Sequence, residues 1–177
     1  MGMQTLRTVS ETTITIADSS VIIAFGIIQR FDILNKLYRT IFVPEAVYHE
    51  VCIRGAGKPG DAELRQSLSE WIHRVQPAKL IAPPYFGMRQ GEIEVISYGV
   101  EQKALGGLVR VLLDDRLGRR RALQEGLQVI GTLGTLKLAK RYGILAAVRP
   151  IIDNLALQGF RVSATIQQSV LTQVGEL

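Results

Sequence analysis

The sequence predicts an α/β fold in which a parallel sheet is covered by helices and a helical pair is appended at the C-terminus. Three observations predict it. Short β-branched runs alternate with apolar positions at helical spacing, Gly and Pro punctuate the changes, and 177 residues suit one core with room for an appendage. Apolar residues make up 47% and charged residues 21% of the chain, a globular composition that excludes disorder, collagen and low-complexity arrays.

Ile14 to Ala17 reads as a strand that stops at Asp18-Ser19-Ser20, where Asp and Ser are good helix N-caps; Val21, Ala24, Phe25 and Ile28 then recur at helical spacing. A helix over Phe31 to Tyr38 leads to the strand Ile41-Phe42-Val43, and Pro44 suits the first turn of a helix over Glu45 to Ile53. Arg54 to Gly60 reads as a loop, Asp61 to Trp71 as an amphipathic helix, Ile72 to Val75 as a strand and Pro77 to Gln90 as irregular. Gly91 ends that stretch. A helix over Glu92 to Glu101 carries Ile93, Ile96 and Val100 on one face. It is followed by a strand over Leu108 to Leu113, a helix over Arg116 to Glu125, a strand over Gln128 to Ile130, and a helix from Thr132 to Tyr142 closed by Gly143. Pro150 opens a helix to Gln158, Gly159 stops it, and Ser163 caps a last helix to Val174. The implied organisation is an N-terminal arm over 1–13, a domain over 14–148, and a helical extension over 149–177 packed on the same domain.

The longest apolar run, Val21 to Ile28, is well short of the ~20 residues of a membrane-spanning helix. Met1 to Thr13 is polar and carries Arg7 and Glu11, unlike a secretory signal. A single cysteine, Cys52, allows no internal disulfide and fits a reducing compartment. The expectation is a cytoplasmic protein with no membrane partner. The net charge of +5 is uneven: residues 1 to 102 hold 10 Lys+Arg against 11 Asp+Glu, and residues 103 to 177 hold 11 against 5. A basic second part suits an anionic partner, nucleic acid being the commonest.

In an open parallel sheet, ligands bind beyond the carboxyl ends of the strands, and the side chains placed there are mostly acids. Asp18 ends the first strand, Asp114-Asp115 follow the strand Leu108 to Leu113, Glu92 opens a helix, and Glu50 lies in the helix after the second strand. Carboxylates brought together repel, so such a cluster persists only with raised pKa values, basic partners or a hard cation, of which Mg²⁺ or Mn²⁺ is the simplest. Glu92 and Glu94 lie about 200° apart around a helix, and adjacent Asp114 and Asp115 point to opposite sides. One of each pair is therefore expected to be a ligand: Glu92 by its place in the first turn, and Asp115 in preference to Asp114. Each acid also has a plainer role, as a helix cap or as a surface partner of Arg116, Arg119 or Arg120.

Ile-Ala-Asp18-Ser-Ser-Val-Ile-Ile-Ala, Val-Pro-Glu-Ala-Val-Tyr-His-Glu50-Val, Gly-Glu92-Ile-Glu94-Val-Ile, Leu-Leu-Asp114-Asp115-Arg-x-x-x-Arg and Gly131-Thr-Leu-Gly, in that order, resemble the successive motifs of the PIN domain. More narrowly, the chain resembles the VapC-like branch that carries a Gly-Lys-Pro-Gly loop and a C-terminal helical pair containing Gly159-Phe160-Arg161. The resemblance implies a three-layer α/β/α sandwich and a Mg²⁺- or Mn²⁺-dependent ribonuclease, often the toxin of a toxin–antitoxin pair and usually a homodimer. It implies RNA as substrate and a small antitoxin protein as partner. Carried over residue by residue, Asp18, Glu50, Glu92 and Asp115 match the acidic cluster, with Asp114 as the alternative metal ligand. Ser19, Glu94 and Thr132 are expected to support the ligands, and Arg116, Arg119, Arg120 and Lys137 to meet RNA. Two positions depart from the pattern: Leu113 stands where many PIN domains have Ser or Thr, and Glu92 where many have Asp. The competing expectations are a binding module for nucleic acid or protein that keeps the fold without turnover, and a DNA-directed nuclease using the same chemistry.

Other signals are set aside. Gly55-Ala-Gly-Lys58-Pro-Gly lacks P-loop spacing, His49-Glu50 lacks the second His of a zinc metalloprotease helix, and there is no Gly-x-Ser-x-Gly elbow. Trp71, Tyr85 and Phe86 are capable of stacking on bases but equally of packing.

Overall fold

The computed structural model describes residues 13–82 and 86–177. The arm expected over 1–13 lies outside the described residues apart from Thr13, and so does Tyr85. Among the described residues five strands form one wholly parallel sheet: β1 (Thr13–Ala17), β2 (Ile41–Pro44), β3 (Ile72–Val75), β4 (Leu108–Leu112) and β5 (Gln128–Ile130), in the order β3-β2-β1-β4-β5. Helices α1 (Ser19–Ile27), α2 (Phe31–Tyr38), α3 (Glu45–Tyr48), α4 (Asp61–Ser67), α5 (Gln90–Ala104), α6 (Arg116–Gln124), α7 (Thr132–Arg141), α8 (Arg149–Leu157) and α9 (Ala164–Gln173) complete it.

β1 is the centre because its Ile-Thr-Ile-Ala run suits burial on both faces. Its Ile16 lies beside Val111 of β4 on the face covered by α5, whose Gly99 comes close to the Ile16 and Val109 side chains. Thr15 lies beside Arg110 on the other face, where the Arg110 guanidinium stacks over the Tyr38 ring of α2 and the Tyr38 hydroxyl hydrogen-bonds to Thr135 of α7 at 2.9 Å. Helices thus lie on both faces, the three-layer sandwich expected. The chain runs from β1 outward to β2 and β3, then returns to place β4 on the far side of β1. That reversal opens a crevice at the carboxyl ends of β1 and β4.

Two expected helices end early, and the one expected over Asp61 to Trp71 stops at Ser67. The helix expected over Glu45 to Ile53 is α-helical only through Tyr48 and continues as a π-helix over His49–Arg54; such wide turns often sit at functional sites. The loop Arg54 to Gly60 is a packing device. Gly26 of α1 lies against its end, so that a Cβ on Gly26 would fall 2.2 Å from the Gly60 nitrogen and 2.5 Å from its Cα. Gly60 itself has φ +97°, a left-handed conformation open to glycine, and it starts α4.

The C-terminal pair shares the core through Ile152, Leu155, Val170 and Leu171. Ser163 caps α9 as expected, accepting from Ile166 N–H at 3.3 Å. Glu176 accepts hydrogen bonds from the backbone of Val148 (2.8 Å) and Arg149 (2.8 Å) and from Lys140. Those bonds hold its carboxyl down at about 2.

Candidate active site

Asp18 follows β1 and caps α1, its Oδ2 accepting from Ser20 Oγ at 2.9 Å and Ser20 N–H at 3.4 Å. The backbone N–H of Asp18 donates to Leu112 at 2.9 Å, which ties the position to the end of β4. The side chain is fully buried, and Oδ1 has no hydrogen-bond partner among the described residues. Burial pushes its carboxyl up to about 6; Arg89 and Ser20 oppose this, and the negative charges of Glu50 and Glu92 add to it.

Glu50 reaches the same point from the π-helix. Its Oε2 accepts from Ser19 Oγ at 2.5 Å and its Oε1 from Gly91 N–H at 3.2 Å. Gly91 is where α5 approaches both acids: a Cβ there would fall 2.8 Å from Glu50 Oε1 and 3.2 Å from Asp18 Oδ1. Gly91→Ala is accordingly expected to leave the fold intact, because Ala favours a helix by up to about 1 kcal/mol over Gly. By displacing the two carboxylates it should cost about a hundredfold in any activity that depends on them. A melting curve beside an activity measurement checks both halves.

Glu92 lies in the first turn of α5 and is only 1% exposed. It accepts from Arg89 Nε at 3.0 Å and from the Arg89 backbone N–H at 3.2 Å. Burial raises its carboxyl, the Arg89 bonds oppose this, and the charge of Asp115 adds to it. The Arg89 guanidinium also reaches Asp18, with Nη2 3.7 Å from Oδ2. Arg89 therefore bridges two of the expected ligands, and the sequence reading missed it. The available signal was its place directly before Gln-Gly-Glu at a helix start.

Asp114 and Asp115 turn opposite ways. Asp114 accepts from Thr132 N–H at 2.8 Å and Thr132 Oγ1 at 2.6 Å; burial raises its carboxyl against those bonds. Asp115 caps α6, accepting from Leu117 N–H at 2.8 Å and Gly118 N–H at 3.1 Å, and its charge is the one felt by Glu92. Of the supporting residues, Ser19 bonds Glu50 and Thr132 bonds Asp114, whereas Glu94 accepts from Ala46 N–H at 2.9 Å and Gln90 at 3.1 Å, serving the start of α3. A cleft of about 450 Å³ lined by Ser19, Glu50, Arg54 and Arg89 opens at Glu50. On the far side of Asp114, a groove of about 560 Å³ is lined by Arg119, Lys137 and Arg161, and a neighbouring depression by Arg116 and Arg120.

A family model described as PIN domain matches residues 14–176. The chain belongs to the PIN domain family. No curated protein matches the sequence. PIN domains are typically nucleases and generally use divalent metal ions. In this PIN domain, as the side chains lie, no three His, Cys, Asp or Glu among the described residues are disposed to hold an ion; the Arg89 guanidinium bridges Asp18 and Glu92 instead. The donor set nevertheless fits a hard cation. It is all carboxylate, Asp18 Oδ1 is buried and unpartnered, and Gly91 leaves open the space beside it that a side chain would fill. No helix among the described residues is long and apolar enough to cross a membrane.

Proposed function

We propose that this PIN domain is a Mg²⁺- or Mn²⁺-dependent endoribonuclease, the toxin of a toxin–antitoxin pair of the VapC-like kind. The observation that carries the reading is Asp18: a fully buried carboxylate with one oxygen unpartnered among the described residues, bearing the charges of Glu50 and Glu92 at the end of β1, while Asp115 bears on Glu92. Asp18, Glu92 and Asp115 would hold the ion. Asp115 is preferred to Asp114 because its charge bears on Glu92, whereas Asp114 is turned to Thr132 with both oxygens. A bound Mg²⁺ or Mn²⁺ supplies a water of lowered pKa and stabilises the departing oxygen of a phosphodiester.

The chain's own residues do the positioning. Ser20 fixes Asp18, while Ser19 and the Gly91 N–H fix Glu50, whose carboxylate lines the cleft and would orient the attacking water. No covalent nucleophile is required. The groove beyond Asp114 offers Arg119, Lys137 and Arg161 to the phosphate backbone. Arg116, Arg120 and Arg161 make no hydrogen bond or ion pair within the described residues, so their charge is available to a polyanion. Leu157 is exposed on the C-terminal pair outside that groove, apolar surface that suits a protein partner, either an antitoxin or a second copy.

End-labelled single-stranded RNA is expected to be cut internally with Mn²⁺ or Mg²⁺ and left whole in EDTA, with single-stranded DNA of the same sequence spared. Cleavage undiminished by EDTA would overturn the assignment. The Arg89 bridge favours one second reading, a nucleic-acid binding module whose acids are neutralised from within; RNA retained on the protein but uncut in Mn²⁺ would identify it.

A further inference from the structure

We propose that Arg89 is a built-in counter-ion of the acidic site, so that its guanidinium and a divalent cation are alternative occupants and the side chain must swing out when the ion is bound. The proposal rests on the metal-site reading above and concerns what stands at that site in the ion's absence.

The geometry carries it. Asp18 and Glu92 are each about 1% exposed at the side chain, and burying two like charges side by side requires a compensating cation. Arg89 is that cation: Nε lies 3.0 Å from Glu92 Oε1 and Nη2 lies 3.7 Å from Asp18 Oδ2. The nearby alternative, Arg54, contacts Glu50 alone at 3.7 Å. The contact with Asp18 is long and leaves Oδ1 without a partner, so the guanidinium compensates the charge without saturating the donors. The two acids hold Arg89 at the rim. Its side chain is 55% exposed, and among the described residues it is held by Glu92 and Asp18, so withdrawal into solvent gives up those two contacts. Glu92 keeps its hydrogen bond from the Arg89 backbone N–H when the side chain leaves, because that bond belongs to the helix start.

An opposite charge at this range favours an ionised carboxylate by about one to three pKa units. An ion that displaces the guanidinium forgoes that interaction, so its affinity is lowered by about tenfold or more. Arg89→Gln should therefore bind Mn²⁺ about tenfold more tightly than the wild-type protein in isothermal titration calorimetry at neutral pH. It should also melt lower than wild type in EDTA and gain more from added Mn²⁺. Arg89→Lys, which keeps the charge, should stay near the wild-type affinity.

Mn²⁺ binding that depends on Asp18 in the wild-type protein, but is unchanged or weaker in Arg89→Gln, overturns the counter-ion role and leaves the metal-site reading standing. Absence of Mn²⁺ binding in both proteins overturns the two together. Binding by Arg89→Gln alone supports both in the strongest form.

Discussion

Asp18→Asn is expected to abolish RNA cleavage while making the metal-free protein more stable above pH 6. The loss of cleavage follows from removing the buried carboxylate on which the cluster is built. The gain follows from the same burial. Asp18 has its carboxyl raised from 3.8 to about 6, so the folded chain binds this proton more readily than the unfolded chain does. An acid shifted in that direction adds stability below pH 4, where it is protonated in both states. Stability then falls as pH rises through the interval from about 4 to about 6, and is flat above it.

At 1.36 kcal/mol per pKa unit, the charged Asp18 costs the folded state about 3 kcal/mol at neutral pH. Asn keeps an oxygen for Ser20 and carries no charge. It leaves an amide N–H unpaired at the Oδ1 position, a cost of about 1 to 2 kcal/mol, so a net gain of about 1 to 2 kcal/mol remains. For a chain of this size that raises the melting temperature by about 2–8 °C. Melting curves in EDTA from pH 4 to pH 7.5 isolate Asp18, because Glu92 and Asp114 titrate in both proteins. Parallel pH profiles for wild type and variant would refute the account, and so would cleavage retained by the variant.

Gly26→Ala is expected to be the most destabilising conservative change in the domain. Alanine normally strengthens a helix, yet here the added methyl meets backbone rather than a side chain that can rotate away: the Gly60 nitrogen at 2.2 Å, the Gly60 Cα at 2.5 Å and the Pro59 carbonyl carbon at 2.9 Å. Relief requires separating α1 from the loop that starts α4, a loop pinned by Asp61 accepting from Gly57 N–H at 2.8 Å and by Glu63 accepting from Gly60 N–H at 3.1 Å. Overpacking of this severity costs about 3 kcal/mol, which lowers the melting temperature by about 6–12 °C. A melting temperature within a degree of wild type would show that the loop moves aside freely.

The alternation of β-branched runs and helical spacing made the strands and most helices legible from residues alone. β5 lies where the Gln-Val-Ile run places it, and Ser163 is the cap its position indicated. Asp18 was legible too, since a strand that stops at Asp-Ser-Ser puts a carboxylate where parallel sheets bind ligands. What stayed hidden was whatever depends on how distant segments meet. Asp114 and Asp115 are neighbours of identical type, and only the position of Thr132 after β5 distinguishes them. The π-helix that carries Glu50 has no residue signature in His-Glu-Val-Cys-Ile-Arg. The Gly-Lys-Pro-Gly loop looks like a ligand loop in isolation and is a packing contact once α1 lies against it. Arg89 sits in a stretch with no periodicity, and its role arises only when Asp18 arrives from another strand.

The bond from Ser19 to Glu50 closes a loop of 31 residues and the one from Gly91 to Glu50 a loop of 41. Such closures form late, after the local helices, because chain entropy must first be overcome. A nascent or partly unfolded chain therefore carries the four acids as scattered, fully hydrated carboxylates. Catalytic competence is in this sense a property of the finished topology and not of any segment. A ribosome-bound fragment that has not yet emitted β4 carries neither Asp114 nor Asp115, so the acidic set is incomplete until the sheet itself is.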